Sequence, residues 1–158
     1  MPDTGGAWHI VEDYLSGAAI RALLEVHFAG LLANSPADSC HFLDFAGLRA
    51  DDVTFWSIHR GDALAGCGAL RMLDPAHGEI KSMRTHEAFL RQGVAARMLD
   101  HIITEARRRG VARLSLETGS GPAFEPALAL YRRHGFDDCE PFADYKADPF
   151  SRFMTRIV

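Results

Sequence analysis

The sequence contains few cysteines and no long apolar run. Its 158 residues include three cysteines, odd in number, widely separated and without a CxxC pair, which is typical of a reducing compartment. The eight histidines are also scattered and form no HExxH or other ligand-spaced cluster, so no metal site is predicted. No apolar stretch approaches the ~20 residues of a membrane span, and residues 1–6 lack the regions of a secretory signal. We therefore expect a soluble, cytoplasmic protein without a membrane partner.

An excess of basic residues is also missing. Seventeen Lys and Arg against 21 Asp and Glu give a net charge of −4, which argues against a nucleic-acid partner. The composition that is present, 47% hydrophobic and 24% charged, is ordinary for a globular protein. The length fits one domain, so we expect a single domain over residues 1–158.

Hydrophobic periodicity predicts alternating strands and helices. In chain order it indicates a strand at 8–12, a helix at 16–28, hairpin strands at 53–58 and 63–70, a strand at 78–85, a helix at 93–109, a strand at 112–118, a helix within 122–134, and two closing strands, from 136 onward and at 151–157. Residues 34–39 break the first helix, and the mixed stretch up to residue 52 could hold a second, short one. Pro126 is expected at the first position of the regular part of the last helix.

A turn of small residues, Gln92-Gly93-Val94-Ala95, stands where a strand passes into the long helix. Helix N-termini present unpaired N–H groups and a partial positive charge, so this turn could bind a phosphate, with Arg91 and Arg97 beside it. Such a turn alone is a weak signal, because many helices begin with glycine. Gly66 and Gly68 lack the third glycine of a dinucleotide fingerprint and indicate a bulged or tightly packed strand instead.

Two motifs in this order resemble the GNAT (GCN5-related N-acetyltransferase) superfamily, over nearly the whole chain. Residues 79–85 followed by Arg91-Gln92-Gly93-Val94-Ala95 resemble its strand and acetyl-CoA pyrophosphate loop, and residues 127–136 resemble its second signature. Segments 117–120, 141–145 and 153–155 are similar to a bacterial branch of YsnE-like acetyltransferases. Leu90 and Phe124 depart from the superfamily pattern, where Arg or Gln and Asn are usual.

The resemblance implies an α/β (α+β) GNAT fold. Its mixed, mostly antiparallel sheet would have about seven strands, with helices on both faces and a splayed parallel central pair formed by residues 78–85 and 112–118. It also implies an acetyl-CoA-dependent N-acetyltransferase without a metal, in which a primary amine of a small molecule, amino acid or peptide attacks the thioester directly in a ternary complex. The residues that would bind acetyl-CoA are Met83, Arg84, Thr85, Arg91, Gln92, Gly93, Val94, Ala95, Ala96, Arg97 and Tyr131.

The same resemblance assigns the proton-transfer roles. Tyr131 would protonate or hydrogen-bond the leaving thiolate. Glu79, on the strand that borders the gap, is the first candidate for general base, directly or through water, and Glu117 on the partner strand is the second. A non-catalytic acyl-CoA-binding sensor or interaction module is the alternative function, and a homodimer is compatible with either.

The acceptor is open at this stage. An acidic segment would favour a cationic amine if it faced the cleft; its members are Asp137, Asp138, Glu140, Asp144 and Asp148. Arg84 favours a different acceptor, because a guanidinium can hold the carboxylate of an amino acid. The alternative interpretations are that the acidic segment is a solvated loop and that the arginine has a structural role only.

Overall fold

The computed structural model describes residues 6–158 and places seven strands in one sheet. The strands are β1 (Trp8–Glu12), β2 (Val53–Arg60), β3 (Ala63–Asp74), β4 (His77–Thr85), β5 (Arg113–Thr118), β6 (Asp137–Asp138) and β7 (Arg152–Ile157). The helices are α1 (Ala18–Asn34), α2 (Phe45–Leu48), α3 (Val94–Arg108) and α4 (Glu125–Arg133), with short 3-10 turns at Ala37–Ser39 and Glu87–Phe89. The strand order is β1-β2-β3-β4-β5-β7-β6, which confirms the expected mixed sheet.

The centre of the sheet contains its parallel pair, β4 and β5. Their pairing covers only three positions and ends at Glu79 opposite Ser115, although both strands continue further. Residues 80–85 of β4 and 116–118 of β5 therefore run on without a partner on their facing edges. We call this parting the fork. Every other pairing in the described sheet is antiparallel.

A bulge in β4 changes which way its later side chains face. Ser82 has a φ of +56°, and the register with β3 shifts between Cys67 and Ala69. Beyond the shift, Arg84 pairs with Cys67, whose side chain belongs to the core beneath α1. Side chains alternate between the faces of a strand, and one extra residue reverses that alternation. Arg84 consequently lies on the α1 face, the same face as Glu79 and Lys81.

Two apolar cores cover the two faces of the sheet. The larger lies beneath α3 and α4, and α3 contributes Val94, Met98, Leu99, Ile102, Ile103 and Ala106 at helical spacing. The smaller lies beneath α1 and α2, around Leu23, Leu24 and Phe55. Helices on both faces were expected. Gly68 brings α3 close to the sheet, because a Cβ there would stand 2.7 Å from Met98 Cγ, and this confirms the predicted tight packing.

Element lengths differ from the sequence expectations more than element types do. α1 continues past residue 28 to Asn34 and stops before Ser35 and Pro36, while β3 extends to Asp74. α4 begins at Glu125, so Pro126 is its second residue rather than its first. The short second helix exists as α2, where the Asp44 side chain accepts a hydrogen bond from Gly47 N at 2.9 Å. The strand expected from residue 136 onward is only Asp137–Asp138.

Candidate active site

A cleft of about 1230 Å³ opens at the fork. Its walls come from the free part of β4, the end of β5, the start of α3, α4 and one side of α1. Ligand pockets commonly measure ~300–1,000 Å³, so this cleft is large enough for an extended molecule. A second cavity of about 970 Å³ adjoins it, and the two share residues 39–42 and Lys81 as lining.

The N-terminus of α3 forms one end of the cleft. Gly93 adopts a φ of +79° at the N-cap, no side chain caps the helix, and a Cβ there would meet open space. The first intrahelical bond runs from Arg97 N to Gly93 O, so the amides of Val94, Ala95 and Ala96 lack helical acceptors. Unpaired amides together with the positive end of the helix dipole are suited to an anion.

Most residues predicted to bind acetyl-CoA line this cleft. They are Met83, Arg84, Thr85, Arg91, Gly93, Val94, Ala95, Ala96 and Tyr131. Gln92 and Arg97 do not line it: both are exposed, and the Arg97 guanidinium lies over the Trp8 ring, 5.3 Å from its centroid. The roles of these residues stay predictions, but the turn and the free edge of β4 do meet in one place.

Tyr131 lies on α4 at the wall of the cleft. The residue is 6% exposed, its ring packs edge-on against Phe136, and it lines the cleft. The hydroxyl makes no hydrogen bond with any of residues 6–158. Burial raises the pKa of Tyr131 above its ordinary value, so the phenol is protonated at neutral pH. A protonated donor without a protein partner is available to a ligand.

Glu117 lies on the β5 arm of the fork and also lines the cleft. Burial raises the pKa of Glu117 to about 7, and the negative charges of Glu79 and Asp148 act in the same direction. Lys81 and a hydrogen bond from Ser151 oppose the increase in this pKa. A carboxyl group that titrates near neutrality suits proton exchange with a substrate.

Glu79 is in a different environment from Glu117. It is 1% exposed, the Tyr145 hydroxyl donates a hydrogen bond to its Oε2 at 2.5 Å, and Lys81 Nζ lies 3.5 Å from the same oxygen. Glu79 lines the second cavity rather than the cleft. The sequence analysis gave no role to Lys81 or Tyr145, because only the folded chain brings them together with Glu79. Glu79, the first candidate for general base, therefore lies in a buried cluster with Tyr145 and Lys81.

The acidic segment does not face the cleft. Asp137 and Asp138 are exposed on β6, and only Asp144 and Asp148 reach a cavity, the second one. Asp148 accepts hydrogen bonds from the amides of Phe150 and Ser151, at 2.8 and 2.7 Å. A cationic acceptor was expected only if this segment faced the cleft, and the segment does not face it.

Two further parts of the cleft were not foreseen from the sequence. Phe124, which stands where an Asn is usual, packs edge-on against Phe150, and both rings line the wall next to α4. On the opposite side, α1 contributes His27, which is 7% exposed and has no hydrogen-bond partner for Nδ1. The aromatic wall and the α1 side of the cleft both depend on long-range contacts that local sequence patterns do not reveal.

Residues 6–158 contain no group of three or more His, Cys, Asp or Glu side chains that could hold a metal ion. Over the same range, no helix has both the length and the apolar character needed to cross a membrane.

Comparison with known proteins agrees with this geometry. Residues 18–136 match the family model described as Acetyltransferase (GNAT) family. The uncharacterized N-acetyltransferase YsnE of Bacillus subtilis is 54% identical, over 94% of this chain and 98% of its own length. The uncharacterized N-acetyltransferase YedL of Escherichia coli is 51% identical, over 92% of each chain. An IAA acetyltransferase of Azospirillum brasilense is 38% identical, over 77% of this chain and 78% of its own.

Solved structures share the same architecture. A Klebsiella pneumoniae protein described as an acyl-CoA N-acyltransferase superposes with a TM-score of 0.75 at 26% identity, covering 95% of this chain and 97% of that one. A GNAT acetyltransferase of Elizabethkingia anophelis, solved with acetyl-CoA bound, gives 0.69 at 18% identity over 96% and 98%. With the family model spanning most of the sequence and two relatives above 50% identity, the chain belongs to the acetyltransferase (GNAT) family and is an N-acetyltransferase.

Proposed function

We propose that the protein transfers the acetyl group of acetyl-CoA to the primary amine of a small molecule, amino acid or peptide, by direct attack in a ternary complex. The observation that carries this proposal is the meeting of Glu117 and Tyr131 in one cleft that begins at the fork. One group titrates near neutrality and the other is a protonated donor, so the pair suits proton removal from an amine and hydrogen-bond donation to a leaving thiolate.

The residues of the cleft fit acetyl-CoA, which supplies the activated thioester when bound. The amides of Val94, Ala95 and Ala96 would receive the pyrophosphate, since they lack helical acceptors and Gly93 leaves open space beside them. Arg91 lines the same end and adds positive charge. The free edge of β4 near Met83–Thr85 would pair with the pantetheine amides as an added strand would.

Glu117 would act as the general base. An alkyl amine has a pKa near ~10, so removing its proton at pH 7 costs about 4 kcal/mol. A base with a pKa near 7 is half ionised at that pH and takes up the proton without a large penalty of its own. This ranks Glu117 above Glu79, whose Oε2 already accepts a hydrogen bond from Tyr145.

Tyr131 would stabilise the departing thiolate. Because burial raises the pKa of its phenol, full proton transfer to sulfur is unfavourable, and hydrogen-bond donation is the better description of its role. The hydroxyl has no protein partner among residues 6–158 to release first.

The thiols support direct attack without an acyl-enzyme. Burial raises the pKa of Cys67 to about 12, so its nucleophilic thiolate is scarce at neutral pH. Burial also raises the pKa of Cys40 and Cys139. Only Cys40 of the three lines the cleft.

The test is an acetyl-CoA turnover screen against amines, amino acids and peptides, with thiol release as the readout and calorimetry of acetyl-CoA binding beside it. We expect tight binding and amine-dependent thiol release, which Glu117→Gln and Tyr131→Phe each reduce. Binding of acetyl-CoA without release with any amine would instead indicate the non-catalytic sensor. Absence of binding would overturn both functions.

A further inference from the structure

Arg84 is half-buried and lines the cleft, and its guanidinium has no partner among the described residues. Within residues 6–158 it forms no ion pair with a carboxylate and donates no hydrogen bond. In the described part of the chain, Glu87 and Glu117 are the only acidic side chains that line the cleft, and neither lies within ion-pair distance of Arg84. A charge withdrawn from water without a partner costs free energy, which an incoming anion recovers.

Arg84 lies against α1 and meets no competing charge there. A Cβ built on Gly30 of α1 would lie 3.4 Å from Arg84 Nη1, so the guanidinium lies next to the helix backbone at this glycine. His27, one helical turn earlier, contributes a buried Nδ1 that has no partner. Burial and the charge of Arg84 lower the pKa of His27 to about 4, which leaves the imidazole neutral at pH 7.

The phosphates of acetyl-CoA do not explain this arrangement. The anion site at the start of α3 lies on the other face of the sheet from α1, and Arg91 is the arginine at that end. The bulge at Ser82 turns Arg84 away from α3 and toward α1. Arg84 therefore faces the part of the cleft that remains for the acceptor.

We propose that Arg84 binds a carboxylate of the acceptor, and that the acceptor is a small amine carrying a carboxylate, of the amino-acid type. This proposal rests on the proposed acetyltransferase function. A planar guanidinium matches a carboxylate with two parallel hydrogen bonds, and the neutral His27 adds a polar neighbour. Arg84 and Glu117 line the same cleft. An acceptor bound there would present its carboxylate to Arg84 and its amine to Glu117.

The experiment compares matched pairs of acceptors: amino acids and the corresponding amino acid amides, which keep the amine and lose the negative charge. For each pair kcat/KM is measured with the unaltered protein, Arg84→Gln and Arg84→Lys. Arg107→Gln is the control, because it removes the same charge from an exposed position on α3 that does not line the cleft.

We expect Arg84→Gln to lower kcat/KM for the carboxylates by roughly 10- to 100-fold and to change the amides little. For each acceptor, the ratio of kcat/KM in the variant to kcat/KM in the unaltered protein is compared, so the difference in amine pKa between carboxylate and amide cancels. The kcat/KM of Arg84→Lys for carboxylates should lie between those of the unaltered protein and Arg84→Gln, since an ammonium keeps the charge but loses the two parallel hydrogen bonds of a guanidinium. Arg107→Gln and the KM for acetyl-CoA should not change. In the unaltered protein, carboxylic acids without the amine should inhibit competitively with the acceptor, and their amides should not.

Each other outcome counts against one specific claim. Equal losses for carboxylates and amides, or a weaker binding of acetyl-CoA to Arg84→Gln, would assign Arg84 to folding or to the cofactor and overturn the inference. Acetylation of uncharged amines alone would overturn the inference and leave the proposed function standing. No turnover with any amine would overturn the proposed function itself. The competition with carboxylic acids needs no variant, so it decides the point even if Arg84→Gln does not fold.

Discussion

The Tyr145 hydroxyl donates a hydrogen bond to Glu79 across 2.5 Å and accepts one from Lys81 Nζ at 2.8 Å. Tyr145 comes from the loop between β6 and β7, whereas Glu79 and Lys81 lie on β4. A single phenol therefore fastens this loop to the fork and satisfies one oxygen of a buried carboxylate. Burial and the charge of Glu79 raise the pKa of Tyr145, so it remains a donor at neutral pH.

Tyr145→Phe should destabilise the protein. The substitution removes the donor to a carboxylate that is 1% exposed, so we expect the free energy of unfolding to decrease by about 1–3 kcal/mol in urea titrations. Tyr14→Phe is the matched control, since its hydroxyl donates to Glu12 at 2.7 Å on the surface and its loss should cost well under ~1 kcal/mol. Equal effects of the two substitutions would contradict a structural role for the Tyr145–Glu79 contact.

Glu117 should set the pH dependence of the reaction. A base must be ionised to act, and the pKa of Glu117 is about 7, so kcat/KM should rise as the pH increases through 7. Glu117→Gln should lower kcat/KM and abolish the inflection near 7, leaving only the slope from the amine itself. Glu87→Gln is the control, because Glu87 also lines the cleft but is exposed. An inflection that persists in Glu117→Gln would assign the base elsewhere.

The same pKa predicts a change in stability. The pKa of Glu117 is raised in the folded chain above its unfolded value, so its contribution to stability is present below pH ~4.5 and is lost as the pH rises through about 7. At pH 8, Glu117→Gln should therefore be more stable than the unaltered protein, by up to ~3 kcal/mol. At pH 4 the difference should vanish. Denaturant titrations at the two pH values measure it, and a pH-independent difference would contradict the assignment.

Gly93→Asp should weaken the binding of acetyl-CoA. A carboxylate at the start of α3 would project into the open space beside the anion site and repel the phosphates, so we expect a loss of roughly tenfold or more by calorimetry. Gly110→Asp is the matched control: its φ is +81°, its Cβ would also meet open space, and it lies past the other end of α3. Comparable affinities in the two folded variants would remove the pyrophosphate from this turn.

Tyr131→Phe should reduce kcat by ~10–100-fold while acetyl-CoA affinity and the melting temperature change little. The hydroxyl makes no hydrogen bond with residues 6–158, so its removal breaks no hydrogen bond of the unliganded protein within that range. The ring contact with Phe136 is retained by the substitution. A normal kcat, with chemistry shown to be rate-limiting, would exclude Tyr131 from the leaving-group role.

The sequence was sufficient where a local pattern decides the structure. The apolar repeat of Val94, Met98 and Ile102 predicted α3, and Gly93 predicted the turn that opens it. Patterns of strand alternation and glycine punctuation likewise placed most of the sheet. The lengths of the strands depend on packing. β3 continues to Asp74 because β4 pairs with it over that distance, and no residue type in the sequence predicts where β3 ends.

The chemistry of the fork was less visible in the sequence. Glu79 and Glu117 are both strand carboxylates in the sequence, and only tertiary contacts give Glu79 a donor and leave Glu117 half-buried in the cleft. Arg84 is a sharper case. Simple alternation from Glu79 would place Arg84 on the opposite face, and the bulge at Ser82 reverses it. Residue types identified the candidates, but the bulge at Ser82 determines the face on which Arg84 lies.

The shortness of β6 controls how the sheet meets other molecules. Its two residues, Asp137 and Asp138, are exposed and occupy the outer edge of the sheet next to β7. An incoming strand would find only two residues to pair with, and both place a carboxylate beside its backbone. The charged, abbreviated edge therefore disfavours strand pairing between copies at β6.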